Sequence, residues 1–406
     1  MTAFTSTPPE DTPASPPAMA LLIHGARANM RQYGMLIALV FLVVLFQIWT
    51  DGTLLLPNNV SNLIQQNSYI LILAMGMVIV IIAGHIDLSV GSLVAFVGAM
   101  AAVLMVKHGL PWVPALLLSL LIGAVAGAWQ GFFIAYLGIP SFIVTLAGML
   151  LFRGATQLVL EGQSLAPFPD GFQDLAKGFL PEVGPYTQYH NPTLTLGLCA
   201  VVLLLLREGR QRSRQLAHGL DVLPTGLWVA RCTAITAAVV ALALTLASFH
   251  GVPVVMLLMC GLLLALGQVM RNAVVGRHVY ALGGNKAAAQ LSGVKDQRVT
   301  FAVFVTMGVL AALAGCVYAA RLNAGTPQAG LNFELEAIAA SFIGGASMSG
   351  GVGTVMGAVI GGLVLGVLNN GMSLVGIGTD YQQVIKGLVL LAAVGFDVWN
   401  KRRAGR

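Results

Sequence analysis

Residues 337–379 read AIAASFIGGASMSGGVGTVMGAVIGGLVLGVLNNGMSLVGIGT, 43 positions between Glu336 and Asp380 without one charged side chain. Twelve of the residues from Gly344 to Gly378 are glycine. A soluble domain seldom runs so far without charge, and an ordinary lipid-facing span does not need so much glycine. The stretch predicts two membrane passes joined by a broken, tightly packed turn, a pattern that suits a path through a bilayer better than an anchor in it.

The whole chain agrees with that reading. Of its 406 residues 57% are hydrophobic and 9% charged, against roughly 25% charged in a typical soluble domain. Apolar stretches fall near 35–50, 67–84, 88–106, 113–137, 141–160, 193–206, 229–249, 253–270, 300–320, 337–350, 353–375 and 381–397. A span needs about 20 residues. The expectation is therefore an all-α polytopic bundle of 10–12 transmembrane segments, some of them broken or re-entrant. Its domains are a disordered tail over 1–34, a transmembrane body over 35–399 and a basic tail over 400–406. The tail assignment rests on Pro8, Pro9, Pro13, Pro16 and Pro17 among Ser and Thr.

Basic residues set the orientation. With the N-terminus inside and twelve crossings, 16 of the 21 Lys and Arg fall in inside regions, so both termini are expected in the cytoplasm. The net charge of +6 then reflects topology and anionic lipid, and no nucleic acid is implied. Cys199, Cys232, Cys260 and Cys316 lie in apolar segments with no paired spacing and read as small buried hydrophobes. An outside loop, 161–192, mixes proline with Phe168, Phe172, Phe179, Tyr186 and Tyr189. It suits either a rigid docking surface or a cover for the bundle top. Lys386, in the last span, reads as snorkelling toward the outer face.

Three elements carry chemistry. The first is Ala83-Gly84-His85-Ile86-Asp87-Leu88-Ser89-Val90-Gly91-Ser92, a turn between two uncharged runs. A carboxylate within the membrane costs about 3 kcal/mol on an insertion scale. Asp87 therefore either caps the next helix, accepting from free N–H groups at Ser89 or Val90, or contacts solute or ion. The second is Gly344-Gly345-Ala346-Ser347-Met348-Ser349-Gly350-Gly351-Val352-Gly353-Thr354, which also interrupts an apolar run before a helix restarts. Paired interruptions are expected where broken helices line a central pathway. Asp87, Ser89, Ser92, Ser347, Ser349, Asn369 and Asn370 are the candidate pathway or helix-break residues. The two asparagines could instead hold a neighbouring helix. Gly353, Gly357 and Gly361, with Gly362 and Gly366, form stripes for close helix packing.

The third element is the inside loop from Gly276 to Val294. Asn285 is a good N-cap, Lys286 to Leu291 are helix formers, and Gly293 can end the helix. So short a helix is unstable alone in water, and either the bundle or a soluble partner must hold it. No Gly-x-x-x-x-Gly-Lys-Ser/Thr loop is present, nor a nucleophile set, metal cluster or row of intramembrane carboxylates. The chain is expected to be no enzyme and to need no cofactor.

Four ordered motifs carry a resemblance: Gly84 to Ser92, Ile139-Pro140-Ser141-Phe142-Ile143-Val144-Thr145-Leu146-Ala147-Gly148-Met149, Tyr280-Ala281-Leu282-Gly283-Gly284-Asn285, and Gly344 to Gly353. With them the chain resembles the permease subunits of bacterial ABC importers for ribose, xylose, arabinose and galactose, over nearly all of its length after residue 50. An extra basic loop and apolar pair near 193–250, with Thr50-Asp51-Gly52 and Leu368-Asn369-Asn370-Gly371-Met372-Ser373, make it most similar to D-xylose permeases. The resemblance implies a permease homodimer in the bacterial inner membrane, a periplasmic sugar-binding protein above and an ABC ATPase subunit below. It implies that Gly276, Arg277, Gly284, Asn285, Lys286, Ala287, Ala288, Gln290, Leu291, Ser292 and Gly293 couple the bundle to that ATPase. The alternative is a secondary transporter or facilitator that works alone.

Overall fold

In the computed structural model, residues 30–185, 188–220 and 222–404 are described. All but the last five positions of the expected N-terminal tail, and the final two residues of the chain, lie outside them. The described residues form helices, with no strand beyond two isolated bridges, Leu165 with Gly325 and Phe179 with Pro253.

Fifteen α-helices follow one another: α1 (Met30–Trp49), α2 (Pro57–Ile82), α3 (Val90–Ala102), α4 (Trp112–Ala135), α5 (Ser141–Leu160), α6 (Asp170–Lys177), α7 (Asn191–Ala217), α8 (Thr225–Ala247), α9 (Val254–Asn272), α10 (Val274–Gly284), α11 (Lys286–Leu291), α12 (Asp296–Leu322), α13 (Phe333–Ile343), α14 (Val355–Leu374) and α15 (Thr379–Ala404). Proline marks many of their starts. Pro57 opens α2, Pro192 sits in the first turn of α7, and Pro111, Pro140, Pro169, Pro224 and Pro253 immediately precede α4, α5, α6, α8 and α9. Its fixed φ suits the first turn, where its missing N–H has no intrahelical partner to lose.

Nine of the described helices are long and apolar enough to cross a bilayer, α3 counting with its π-widened last turn, Val103–Lys107. With α1, α13 and α15 they account for the twelve apolar stretches of the sequence. Burial sorts them. The apolar window of α2 is 89% buried, whereas those of α7, α8 and α9 are 11% buried. α2 is thus the axis of the bundle, packed by α12, α13 and α14, and α7 and α8 form a hairpin clothed in lipid.

Glycine makes the close packing. α4 and α12 meet where Gly123 and Gly127 face Gly308 and the Phe304 carbonyl. On α14 the two stripes face different neighbours: Gly357 and Gly361 lie against Gly344 and Ala340 of α13, and Gly362 and Gly366 against Leu71 and Asn67 of α2. Backbone approach of this kind replaces the hydrophobic drive that lipid removes.

α13 has 11 residues, about 16 Å of helix, roughly half the hydrocarbon core. The other half of that crossing is non-helical, a run of turns from Asn323 to Asn332 with positive φ at Asn323, Gly330 and Asn332. It enters beside Leu165, which exchanges backbone hydrogen bonds of 2.9 Å with Gly325, and descends until Gly330 rests on Gly91 of α3. Irregular backbone survives at such depth only inside protein. Arg153 of α5 makes that possible here, its Nη1 donating to the carbonyls of Ala329 at 2.7 Å and Pro327 at 3.3 Å.

Three expectations resolve differently from their sharper forms. Cys232 and Cys316 are buried as expected, but Cys199 and Cys260 are exposed, on helices whose apolar windows are only 11% buried. The outer loop covers the bundle with most of its described rings: Phe168 and Phe172 are buried, Phe179 packs on Phe249 and His250, and Gln65 of α2 donates to the Lys177 carbonyl, while Tyr189 is exposed and Tyr186 lies outside the described residues. Lys386 does not snorkel outward; its ammonium lies 2.7 Å from Glu336 of α13, both half-buried. A nearby carboxylate satisfies the amine more directly than a stretch to the interface.

Candidate translocation and coupling site

The first helix break follows α2. His85 still donates back to the Val80 carbonyl at 3.0 Å, after which the chain turns through Ile86 to Ser89. Asp87 is 2% exposed. Its Oδ1 accepts from the Ser89 backbone N–H at 2.8 Å and from the Ser89 hydroxyl at 2.7 Å. The expected bond to Ser89 is made, but as a turn two residues long that leads into the helix, because Ser89 is itself the N-cap and Asp87 reaches no N–H of the first turn. Ser92 donates to the Ser89 carbonyl at 2.7 Å. Gln130, buried on α4, donates to the Ser89 hydroxyl at 2.6 Å. Thr145 of α5 reaches toward the Ile86 carbonyl at 3.5 Å.

The second break joins α13 to α14. The Ser347 backbone N–H donates to Val352 at 3.0 Å, its hydroxyl pairs with that of Ser349 at 2.8 Å, and Thr354 caps α14 by accepting from Gly357 at 2.9 Å. Gly350 and Gly351 have φ of +76° and +70°, a conformation that side chains resist.

The third element is the α10–α11 corner. Asn285 caps α11, accepting from Ala288 at 3.0 Å, and Gly293 leaves it with φ +84°. Lys286 and Gln290 reach Asp296 of α12 at 3.3 and 2.9 Å, and Ala289 is buried. These contacts supply the hold that a six-residue helix requires. Leu291 is nonetheless 91% exposed, and Ala287, Ala288 and Ser292 are exposed beside it. Gly276 is buried where α10 doubles back on the end of α9; a side chain there would meet the Val269 and Met270 carbonyls at 2.5 Å.

These three elements converge. The Gly351 N–H donates to the Ile82 carbonyl at 2.9 Å, so the second break is bonded to the end of α2. Gly283 lies against both groups, leaving no room for a side chain, and Gly350 and Gly351 rest on Gly283, Gly284 and Gly84. Tyr280 of α10 donates to the Gly353 carbonyl at 2.7 Å. An exposed surface helix is therefore one residue from a junction that holds both broken helices.

The candidate pathway residues divide among three places. Asp87, Ser89 and Ser92 form one hydrogen-bonded group, and Ser347 and Ser349 sit in the adjoining break. Asn370 is elsewhere: its amide exchanges bonds of 2.9 and 3.1 Å with Asn59 of α2, and Asn59 also holds the Leu54 carbonyl. It fastens α14 to the start of α2, while the neighbouring Asn369 Oδ1 is buried with no partner among the described residues.

Sequence reasoning missed several residues. Gln130 is a lone amide in an apolar run and was there to be noticed. Tyr280 and Gly283 stood inside a recognised motif, but nothing in their spacing marks contact with residues 351–353. A third group lies on α2, α12 and α13. The rings of Tyr69, Tyr318 and Phe333 pack with centroids 4.6 to 5.0 Å apart, with Arg321 and Glu336 in electrostatic reach of Tyr69. Tyr69 precedes Ile82 by 13 residues, about 20 Å along α2.

Residues 59–394 match the family described as branched-chain amino acid transport system / permease component. The chain is 39% identical over 375 residues to the xylose transport system permease protein XylH of Haemophilus influenzae, covering 92% of this chain and 98% of that one. It is 39% identical to XylH of Escherichia coli, over 93% of this chain and 94% of the relative. The ribose import permease protein RbsC of E. coli is 33% identical over 93% of this chain and 96% of its own. No solved structure matches. Spanning most of its length, the match places this chain among the permease components of that transport-system family.

Proposed function

We propose that this chain is the membrane-spanning subunit of an ABC importer for a monosaccharide, with D-xylose the first candidate. It lies in the bacterial inner membrane with both termini in the cytoplasm, pairs with a second copy, receives sugar from a periplasmic binding protein and is driven by a separate ATPase. The family description names amino acids, whereas relatives identical at 39% and 33% are named for xylose and ribose; both sugars are pentoses, and the higher identity supports xylose.

The observation that carries the mechanism is the junction of Gly283, Ile82 and Gly351. The exposed α11 is the docking point for the ATPase, and its displacement passes through Tyr280 and Gly283 to both breaks together. The polar groups at the breaks, Asp87, Ser89, Ser92, Ser347 and Ser349, satisfy one another while the helices are closed and turn to the sugar when they part. Outward of them, the rings of Tyr69, Tyr318 and Phe333 offer apolar faces to sugar C–H groups, and Arg321 and Glu336 offer partners to hydroxyls.

Reconstitution tests the whole reading. Proteoliposomes containing the chain, its ATPase and the binding protein are expected to accumulate D-xylose on ATP addition, and the chain alone to pass none. Ala288→Glu with Gln290→Lys, whose ammonium keeps Asp296 as a partner, is expected to abolish uptake while leaving the chain folded. Flux through the chain alone returns the reading to a self-sufficient facilitator; full ATP-driven uptake by the double variant removes α11 as the docking point.

A further inference from the structure

The α7–α8 hairpin stands apart from everything above. Its helices pack mainly on each other, and Leu198, Leu203, Leu206, Leu220 and Val229 face outward. At its basic end the helices part around a cleft of about 130 Å³, walled by Glu208, Gln211, Arg212, Gln215, Trp228 and Arg231. That is far more than the roughly 15 Å³ one water requires, so a small polar group enters it.

The wall is arranged for an anion. Two guanidinium groups face one carboxylate, and Arg231 already holds that carboxylate, Nη2 to Glu208 Oε1, at 2.9 Å. Arg212 is fixed in place: it lies over the Trp228 ring at 5.0 Å and donates to the Leu223 carbonyl at 2.8 Å and to Thr225 at 3.0 Å. Each arginine has five N–H donors, so most of those on the pair are unspent. Trp228 Nε1 adds a buried donor with no partner among the described residues, a group that costs free energy until something accepts from it. Arg207, Arg210 and Arg214 follow on the same end of α7. Pre-oriented donors facing unfilled space at the foot of a lipid-clothed hairpin are the features of a phosphate-binding site at the membrane surface.

We propose that this cleft binds the phosphate of an anionic phospholipid headgroup, with the acyl chains lying along the exposed leucines of α7 and α8. The site is independent of the sugar pathway. Only its placement in the inner leaflet rests on the orientation proposed above.

The test is native mass spectrometry of the full-length chain, released in mild detergent from vesicles of phosphatidylcholine with and without phosphatidylglycerol. Wild type is expected to retain phosphatidylglycerol in preference to phosphatidylcholine. Arg212→Gln and Arg231→Gln should each lower that retention about fivefold, the contribution of one arginine near an anionic surface. Trp228→Phe keeps the ring beneath Arg212 and removes only the N–H; it should also lower retention, and it decides the matter if an arginine variant fails to fold. Retention equal to wild type in Trp228→Phe and in the folded arginine variants overturns the site. A separate arm adds inorganic phosphate: its failure to displace the lipid supports a headgroup source, and displacement at millimolar concentration overturns that source in favour of a soluble phosphate. Sugar uptake is not the readout, so failure of the transport reading leaves this result intact.

Discussion

Tyr280 is one hydroxyl away from disconnecting the surface helix from the second break. Its bond to the Gly353 carbonyl is 2.7 Å, and Tyr280→Phe removes that bond while keeping the ring. The expected result is a fall of several-fold in sugar moved per ATP hydrolysed, with hydrolysis itself near wild type, read by parallel uptake and phosphate-release assays. A proportional loss of both would assign Tyr280 to folding instead. Gly283 is stricter. A methyl group there runs into the Ile82 carbonyl and the Gly351 N–H, so Gly283→Ala is expected to break the junction and leave no transport, visible also as a lowered melting temperature. The Gly-Gly pair was legible in the sequence as part of a motif. Its reason was not, because residues 82, 283 and 351 share no periodicity and meet only when three segments fold together. Asp87 was legible in part: a carboxylate two residues before a serine, between apolar runs, has few ways to be satisfied, and the bond to Ser89 is one of them, though it closes a turn ahead of the helix and does not cap it.

Among the elements, the short helix α11 was the best read, since its cap, its formers and its terminating glycine all act locally. The run of turns Asn323–Asn332 was invisible, because chain without repeating hydrogen bonds has no repeating sequence signature. Its stability depends on Arg153. Arg153→Ala leaves the Ala329 and Pro327 carbonyls unpaired in the bundle, and one orphaned buried acceptor costs about 1–3 kcal/mol. A thermal melt of the purified chain should register the loss, whereas Arg153→Lys, which retains a donor, should recover part of it. An unaltered melt for the alanine variant would mean that water already serves those carbonyls. The outer loop illustrates a different limit: aromatic residues beside prolines are compatible with exposure or with burial, and only the position of α6 over α12 and α9 decides between them.

At the scale of the molecule, the helical spans followed from apolar runs, a summed property that tolerates local error. The asymmetry of Lys and Arg is a sum of the same kind, and the orientation proposed from it has a direct test. That orientation puts Leu291 in the cytoplasm. With Cys199 and Cys260, the exposed native thiols, replaced by serine, Leu291→Cys should react with a membrane-impermeant maleimide in inside-out vesicles and be protected in intact cells. Labelling in intact cells would reverse the topology and remove the ATPase from that face. What no sum along the chain reveals is the division of labour: a buried axis of α2, α12 and α14, and a lipid-clothed hairpin attached to it.

The bond between the Gly351 N–H and the Ile82 carbonyl has a consequence for the cell as well as for the machine. If, as proposed, the two breaks line the sugar path, that shared atom pair makes them part together or stay shut together. A path formed only by a concerted movement is closed in every intermediate position, so a half-moved bundle offers ions no route.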